Sequence, residues 1–249
     1  MVYLIEGGYA NTYLVQGEDG WVAVDVGSPL AAKKVATFIT ESLNRKRHEL
    51  KLITATHFHI DHIGGICRLL TFFPRAEVNF SFHVSSYLTG KEKLGIPPFS
   101  SWITGFVPTA ARLNHHLRNL FQVLVSTKSG IPLPFLRNIF FLSYKPKCEL
   151  KEGLTIPFLP DWRVIETPGH TQDSISFYHA KDRVLICGDT ILNMKGTGEL
   201  NNFCCSREEI KKSFKKLSIL VVENIYPGHG VPINGVKKAL SKVRSLDKY

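Results

Sequence analysis

Six residues constrain this chain more than any other feature it carries. His57-Phe58-His59-Ile60-Asp61-His62 follows Leu50-Lys-Leu-Ile-Thr-Ala-Thr56, an apolar run rich in β-branched residues that reads as a buried strand. Four ionisable side chains in six positions cannot follow a buried strand without compensation, because a buried polar group left without a partner costs kilocalories per mole. A metal ion supplies that compensation. His57 and His59, two apart in an extended or turning backbone, project to one side and can chelate one ion, while Asp61 and His62 turn toward a neighbouring site. Imidazole and carboxylate are the donors that zinc and similar borderline metals accept.

Two more histidines share a local context. Thr167-Pro168-Gly169-His170 and Tyr226-Pro227-Gly228-His229 each follow an expected strand, and in each a Pro-Gly turn can aim the imidazole back over the strand ends. Leu185-Ile-Cys-Gly-Asp189-Thr190 ends another strand with a carboxylate beside a glycine. Ligands from the ends of four strands would suit an open site at one edge of a β-structure.

The remaining pattern is mixed α/β. Residues 2–6, 11–16 and 21–25 alternate as short strands, with Glu18-Asp19-Gly20 as a hairpin-type turn. Ser28-Pro29 opens a helix expected to run to about Arg45. A helix follows His62, and 76–84, 163–167, 174–178, 183–187 and 219–226 read as strands. Ser206-Arg-Glu-Glu209 is a capping box opening a helix to about Leu217, and a final helix is expected over 236–246. No phosphate-binding glycine loop occurs.

Together these motifs resemble the metallo-β-lactamase superfamily: H-x-H-x-D-H at 57–62, T-P-G-H-T at 167–171, G-D-T at 188–190 and P-G-H-G at 227–230, with Asn11-Thr-Tyr-Leu14 and Val24-Asp25-Val26-Gly27 similar to its opening motifs. The resemblance implies an α/β fold, an αββα four-layer sandwich, as a single domain over 1–249 with a largely helical insertion at about 88–150. It also implies a dinuclear site. His57, His59 and His170 would hold one metal; Asp61, His62 and His229 the other; Asp189 would bridge them; Asp25 would orient a ligand histidine. The cofactors expected are two divalent ions, zinc in preference to iron or manganese. Two such ions with Asp61, Asp189 and a bridging hydroxide leave the site at about +1, suited to an anionic intermediate.

The expected activity is hydrolysis of an ester, thioester or lactone by a metal-bridging hydroxide, with Asp61 orienting it and carrying a proton. Two alternatives use the same fold: a phosphodiesterase, and a mononuclear iron dioxygenase acting on persulfides. A metal-bearing scaffold or sensor is the non-enzymatic alternative. Only 20 residues of this sequence follow His229, so a C-terminal helical region like that by which glyoxalase II-like relatives recognise glutathione is not expected, and neither is glutathione specificity.

Charge and composition narrow the partners. Hydrophobic residues make up 44% and charged residues 21% of 249, which excludes a disordered or fibrous chain. The net charge is +10, favouring anionic partners. The segment from Lys91 to Glu149 carries +6 of it, and no acid stands between Phe99 and Cys148. Ala110, Leu113, Leu117, Leu120, Phe121 and Leu124 lie there at helical spacing, with Arg112 and Arg118 facing elsewhere. The segment reads as a lid or homodimer interface, or as a basic amphipathic surface for a membrane or for a small-molecule substrate with an apolar tail or anionic group. Nucleic acid is disfavoured, since no binding module is visible. Leu94 to Ala111 is uncharged but broken by Pro97, Pro98, Gly105 and Pro108, so it does not read as a membrane span. Five cysteines and no signal-like N-terminus make a cytoplasmic protein the expectation. Cys187 reads as a buried small hydrophobe, Cys204 and Cys205 as neither redox nor metal groups, and His48, His83, His115, His116 and His179 as surface or structural.

Overall fold

The computed structural model describes residues 1–42, 49–95, 97, 142–194 and 196–246. The amphipathic stretch at 110–124, Phe140, Phe141, His48, His115 and His116 lie outside them. The described residues fall into two compact units, one of Met1–Lys93, 142–150 and Ile156–Pro160, the other of 94–95, 97, Lys151–Thr155, 161–194 and 196–246. Among them no helix is long and apolar enough to cross a membrane.

The first unit is built on a six-stranded sheet in the order β1-β2-β3-β4-β5-β6: β1 (Val2–Ile5), β2 (Thr12–Gln16), β3 (Trp21–Val24), β4 (Leu50–Thr54), β5 (Glu77–Ser81) and β6 (Lys147–Leu150). β1 to β3 form the expected antiparallel meander, and β3 to β6 pair in parallel. Parallel neighbours need crossovers, and α1 (Pro29–Thr37) supplies the first. Ser28 caps it, its Oγ accepting from the Ala31 N–H at 3.0 Å, with Pro29 in the first turn. The helix expected to reach Arg45 is α-helical only to Thr37 and continues as a π-turn over Phe38–Ser42. The Thr40 hydroxyl donates back to the Ala36 carbonyl at 2.8 Å, a bond that bends helices. Residues 43–48 are outside the described set.

The helix expected after His62, carrying Ile66, Leu69 and Leu70, is α3 (Ile66–Phe72), and a short α2 (Ile60–Ile63) precedes it. Gly64-Gly65 divides them, and the Gly65 N–H donates to the Val26 carbonyl at 2.8 Å. A side chain at Gly65 would overlap the Ser28 carbonyl, so the approach that anchors the break requires glycine. The strand expected over 76–84 ends at Ser81 and is followed by α4 (Val84–Leu88).

The second sheet has the order β13-β10-β9-β8-β7, from β7 (Thr155–Ile156), β8 (Leu159–Glu166), β9 (Ile175–His179), β10 (Val184–Gly188) and β13 (Asn224–Pro227). From Asp161 onward its strands belong to the second unit. β8, β9 and β10 are antiparallel, and β10 and β13 parallel. A small ladder pairs β11 (Ile191–Leu192) with β12 (Glu199–Leu200). Half of the expected capping box forms: Ser206 Oγ accepts from the Glu209 N–H at 3.2 Å and opens α5 (Arg207–Leu217), while the Ser206 N–H donates to the Gly169 carbonyl and not to the Glu209 side chain. Leu185, Ile210, Leu217, Val222, Ile225 and Leu240 pack in one core cluster, each side chain contributing about 1.5–3 kcal/mol by its burial.

Two expectations here fail. The strand read over 219–226 is reduced to Asn224–Pro227, because the Glu223 and Asn224 N–H groups both turn to the Arg183 carbonyl. The final helix expected over 236–246 is a single 3-10 turn at Ala239–Lys242. Gly235 and Lys238 sit in the left-handed region at φ 66° and 53°, and the Ala239 and Arg244 N–H groups bond to Val222 and Gly198 carbonyls rather than along a helix. Apolar spacing sufficed for the expectation, but the backbone donors found partners elsewhere.

Gly27 packs against the motif itself, since a Cβ there would overlap the Asp61 carbonyl. Gly27→Ala is expected to lower stability by about 1–3 kcal/mol through overpacking, measured by urea denaturation, and to weaken metal uptake more than Gly90→Ala, whose site is open.

Candidate metal centre

In the first unit the site grows from Asp25. β3 ends at Val24, and Asp25 takes a left-handed conformation, φ 59°, which Asp tolerates better than most residues. Its N–H donates to the Thr54 carbonyl at 3.0 Å, and its carbonyl accepts from the Thr12 hydroxyl at 2.6 Å. The carboxylate is fully buried. It accepts from the Thr56 N–H at 2.7 Å and from the Thr56 hydroxyl at 2.9 Å, and its Oδ2 stands 3.3 Å from His62 Nδ1.

These contacts decide which ring nitrogens carry protons. The Thr56 hydroxyl has one proton and gives it to Asp25, so its lone pair faces His57 Nδ1 at 3.3 Å. His57 therefore holds its proton on Nδ1 and presents the Nε2 lone pair. The Asp25 charge likewise favours the proton on His62 Nδ1, leaving Nε2 toward Asp61, 3.9 Å from its Oδ2. His59 stands at the residue before α2 without a capping bond from its side chain, and its Nδ1 lies 3.1 Å from His57 Nε2. His57 and His62 are buried; the Asp61 side chain is 17% exposed.

In the second unit three turns do the same work. Gly169, φ 135°, packs its backbone on Ile210, where a Cβ would lie 2.7 Å from the Ile210 Cα. His170 follows, and its Nδ1 donates to the Phe203 carbonyl at 2.6 Å, so Nε2 carries the lone pair. Gly188, φ 50°, turns β10 into Asp189, and its carbonyl accepts from the Gly228 N–H at 2.7 Å. That bond ties the Asp189 turn to the Pro227-Gly228-His229 turn. Asp189 Oδ2 lies 3.5 Å from His170 Nε2 and 3.3 Å from His229 Nε2, all three residues being buried.

The donor set fits a metal. Two ligands at about 2.0–2.1 Å on a tetrahedral ion stand about 3.3–3.5 Å apart. His57–His59, His170–Asp189 and His229–Asp189 are separated by 3.1, 3.5 and 3.3 Å. Each unit thus brings its own expected ligands together: His57, His59, Asp61 and His62 in one, His170, Asp189 and His229 in the other. Asp25 has the orienting contact expected of it, and it reaches two histidines, one of them through Thr56.

Sequence reasoning missed Thr56, Asn201 and Phe203. Thr56 carried a signal, a hydroxyl at the strand end beside the motif. Phe203 carried none, because it acts through its backbone carbonyl. The residues set aside behave accordingly. Cys187 is buried, its thiol among backbone carbonyls. Burial pushes the Cys204 thiol up to about 11, which suppresses its thiolate. His179 accepts from the Asp182 N–H at 3.1 Å beside the Trp162 ring, a structural role.

A sequence model of the metallo-beta-lactamase superfamily matches residues 5–229. The chain belongs to that superfamily. Relatives include the probable metallo-hydrolase YflN of Bacillus subtilis (strain 168), 29% identical over 91% of this chain and 82% of its own. A hydroxyacylglutathione hydrolase of Francisella tularensis subsp. novicida (strain U112) is 24% identical over 95% of this chain and 69% of its own. The superfamily fold is also that of a metallo-beta-lactamase family protein from Thermus thermophilus, TM-score 0.62 at 20% identity, covering 96% of this chain and 77% of that one. A further structural neighbour, determined in a di-iron-bound form, has TM-score 0.57 at 20% identity and covers 93% of this chain and 91% of that one. The αββα class expected from the motifs is that of the superfamily.

Asp25→Ala is expected to destabilise by about 3 kcal/mol, since it leaves the buried Thr56 N–H and hydroxyl without their charged acceptor. Asp25→Asn, which keeps one acceptor oxygen and the tolerance for positive φ, should recover most of that loss in thermal melts while still weakening metal binding.

Proposed function

We propose that this protein is a metallo-hydrolase acting on the carbonyl of an ester, thioester or lactone, with two divalent metal ions as cofactor and zinc the favoured metal. The observation that carries the reading is the spacing of the donor pairs in each unit, with the other nitrogens of His57, His62 and His170 facing protein acceptors. His57, His59 and His170 would hold one ion, Asp61, His62 and His229 the other, and Asp189 would serve both, since its Oδ2 already faces two imidazoles. Bound there, the metals would supply Lewis acidity and lower the pKa of a water toward neutrality.

The chain's own groups would do the rest. Pinned imidazoles keep their lone pairs aimed, so binding spends little on reorganisation. Asp61 is the partly exposed acid of the first unit's cluster; it would orient the attacking water, take up its proton and hand it to the leaving group. Asp25 and Thr56 would keep His57 and His62 in the ligating tautomer. The hydroxyacylglutathione hydrolase among the relatives favours an acyl carbonyl over a phosphodiester. The net charge of +10 favours the phosphodiester, which would show as steep salt dependence of substrate binding.

Elemental analysis beside a screen of chromogenic esters, thioesters, lactones and bis-phosphodiesters tests the reading. Two metals per chain and acyl hydrolysis lost with chelator are expected; one iron per chain with oxygen consumption on persulfides would replace hydrolysis by oxidation. His59→Ala should abolish hydrolysis and lower metal content with the far-UV spectrum unchanged. Asp189→Ala should cost more activity than Asp25→Ala, whose loss should be roughly 10–100-fold; the opposite order, with both metals retained in Asp189→Ala, removes the shared-ligand role of Asp189.

A further inference from the structure

The segment Asn201–Ser206 grips the His170 turn at several points. The Cys205 N–H donates to the His170 carbonyl at 3.2 Å and the Ser206 N–H to the Gly169 carbonyl at 2.9 Å. The Phe203 carbonyl takes the His170 Nδ1 proton at 2.6 Å. One side chain organises this segment. Asn201 is buried, 3% exposed, and its Oδ1 accepts from the Phe203 N–H at 2.9 Å. That is an Asx turn, in which a side-chain oxygen holds the backbone two residues on. Asn201 Nδ2 lies against the ring at 3.3 Å from His170 Nδ1. The Asn201 N–H in turn donates to the Thr190 carbonyl at 3.3 Å, next to Asp189.

We infer that Asn201 is a positioning residue for the metal centre: its Asx turn aims the Phe203 carbonyl at His170, holds that ring in the Nδ1–H tautomer, and ties it to the Asp189 turn. The inference rests on the metallo-hydrolase reading for its purpose, but the tautomer is a property of the chain alone. A carbonyl can only accept, so a 2.6 Å contact to Nδ1 requires the proton there and leaves the lone pair on Nε2, toward Asp189. Without Asn201 Oδ1 the Phe203 N–H loses its acceptor, the Asn202–Phe203 peptide is no longer fixed, and the following peptide, which carries the Phe203 carbonyl, is free to rotate away from His170. His170 can then place its proton on Nε2, the nitrogen it needs bare.

Three variants separate aim from packing. Asn201→Leu keeps the volume and loses the acceptor. Asn201→Asp keeps Oδ1 and with it the turn. Asn201→Ala loses both. The first readout is nitrogen-15 NMR of the metal-free protein with labelled histidine, which distinguishes the two tautomers of His170. Nδ1–H is expected in the wild type and Asn201→Asp, and a tautomer mixture in Asn201→Leu and Asn201→Ala. The second is zinc affinity by competition with a chromophoric chelator: a loss of roughly 10–100-fold in Asn201→Leu, restored in Asn201→Asp, with far-UV spectra superimposable. Should Asn201→Leu keep both the tautomer and wild-type zinc affinity, the positioning role is overturned while the metallo-hydrolase reading stands. A wild-type chain that locks the tautomer yet takes up no zinc, iron or manganese overturns the metal centre, and with it the purpose assigned to Asn201.

Discussion

A single buried carboxylate organises the first unit's cluster of candidate ligands. Asp25 carries a charge that has left water, and such a charge persists only where donors surround it. The Thr56 N–H and hydroxyl meet it directly, and His62 stands at ion-pair distance. Because the Thr56 proton is committed to Asp25, the hydroxyl can only accept from His57. One acid thereby sets the proton on two imidazoles. The backbone of Asp25 is equally engaged, with Thr54 on one side and Thr12 on the other, so the carboxylate is held by the ends of β2 and β4 as well as by its own position after β3.

The second unit reaches the same end by another route. Behind His170 Nδ1 stands a backbone carbonyl, and a carbonyl must be aimed by the chain around it. The Asn201 Asx turn, the Cys205 and Ser206 donors and the cap of α5 supply that aim. The difference has a physical basis. A carboxylate accepts in several directions and tolerates some misplacement, whereas one carbonyl serves one ring from one direction. The segment from β11 to α5 is accordingly crowded with backbone bonds: Asn201 to Thr190, Leu200 to Arg244, Asn193 to His229.

Glycines mark where backbone meets backbone in both units. Gly27 lies against the Asp61 carbonyl, Gly65 against Ser28, Gly169 against Ile210 and Gly230 against the Asn193 carbonyl. Gly65, Gly169 and Gly230 stand within a few residues of expected ligands in the chain, and Gly27 touches one. Close approach of this kind packs the turns that carry the candidate ligands onto their supports, which limits how far an imidazole can drift.

How much of this was legible beforehand follows from what each residue uses. His57, His59, Asp61, His62, His170, Asp189 and His229 act through side chains whose chemistry is rare enough, in motifs close enough, to be picked out by composition and spacing. The meander of β1 to β3, the Ser28 and Ser206 caps and the burial of Cys187 follow from periodicity and local hydrogen bonding, which are sequence-near effects. The failures share one cause. The 219–226 strand and the 236–246 helix were read from apolar spacing alone. Each was undone by backbone N–H groups that found partners far along the chain, at Arg183, Val222 and Gly198. The sequence by itself determined the ligand types and the class of fold, because those depend on side-chain chemistry and short-range pattern. Only the tertiary structure decided which nitrogen of His57 and His170 bears the proton and which residues decide it, because a tautomer is set by whatever acceptor folding brings within about 3 Å, and Phe203 offers nothing but a peptide oxygen.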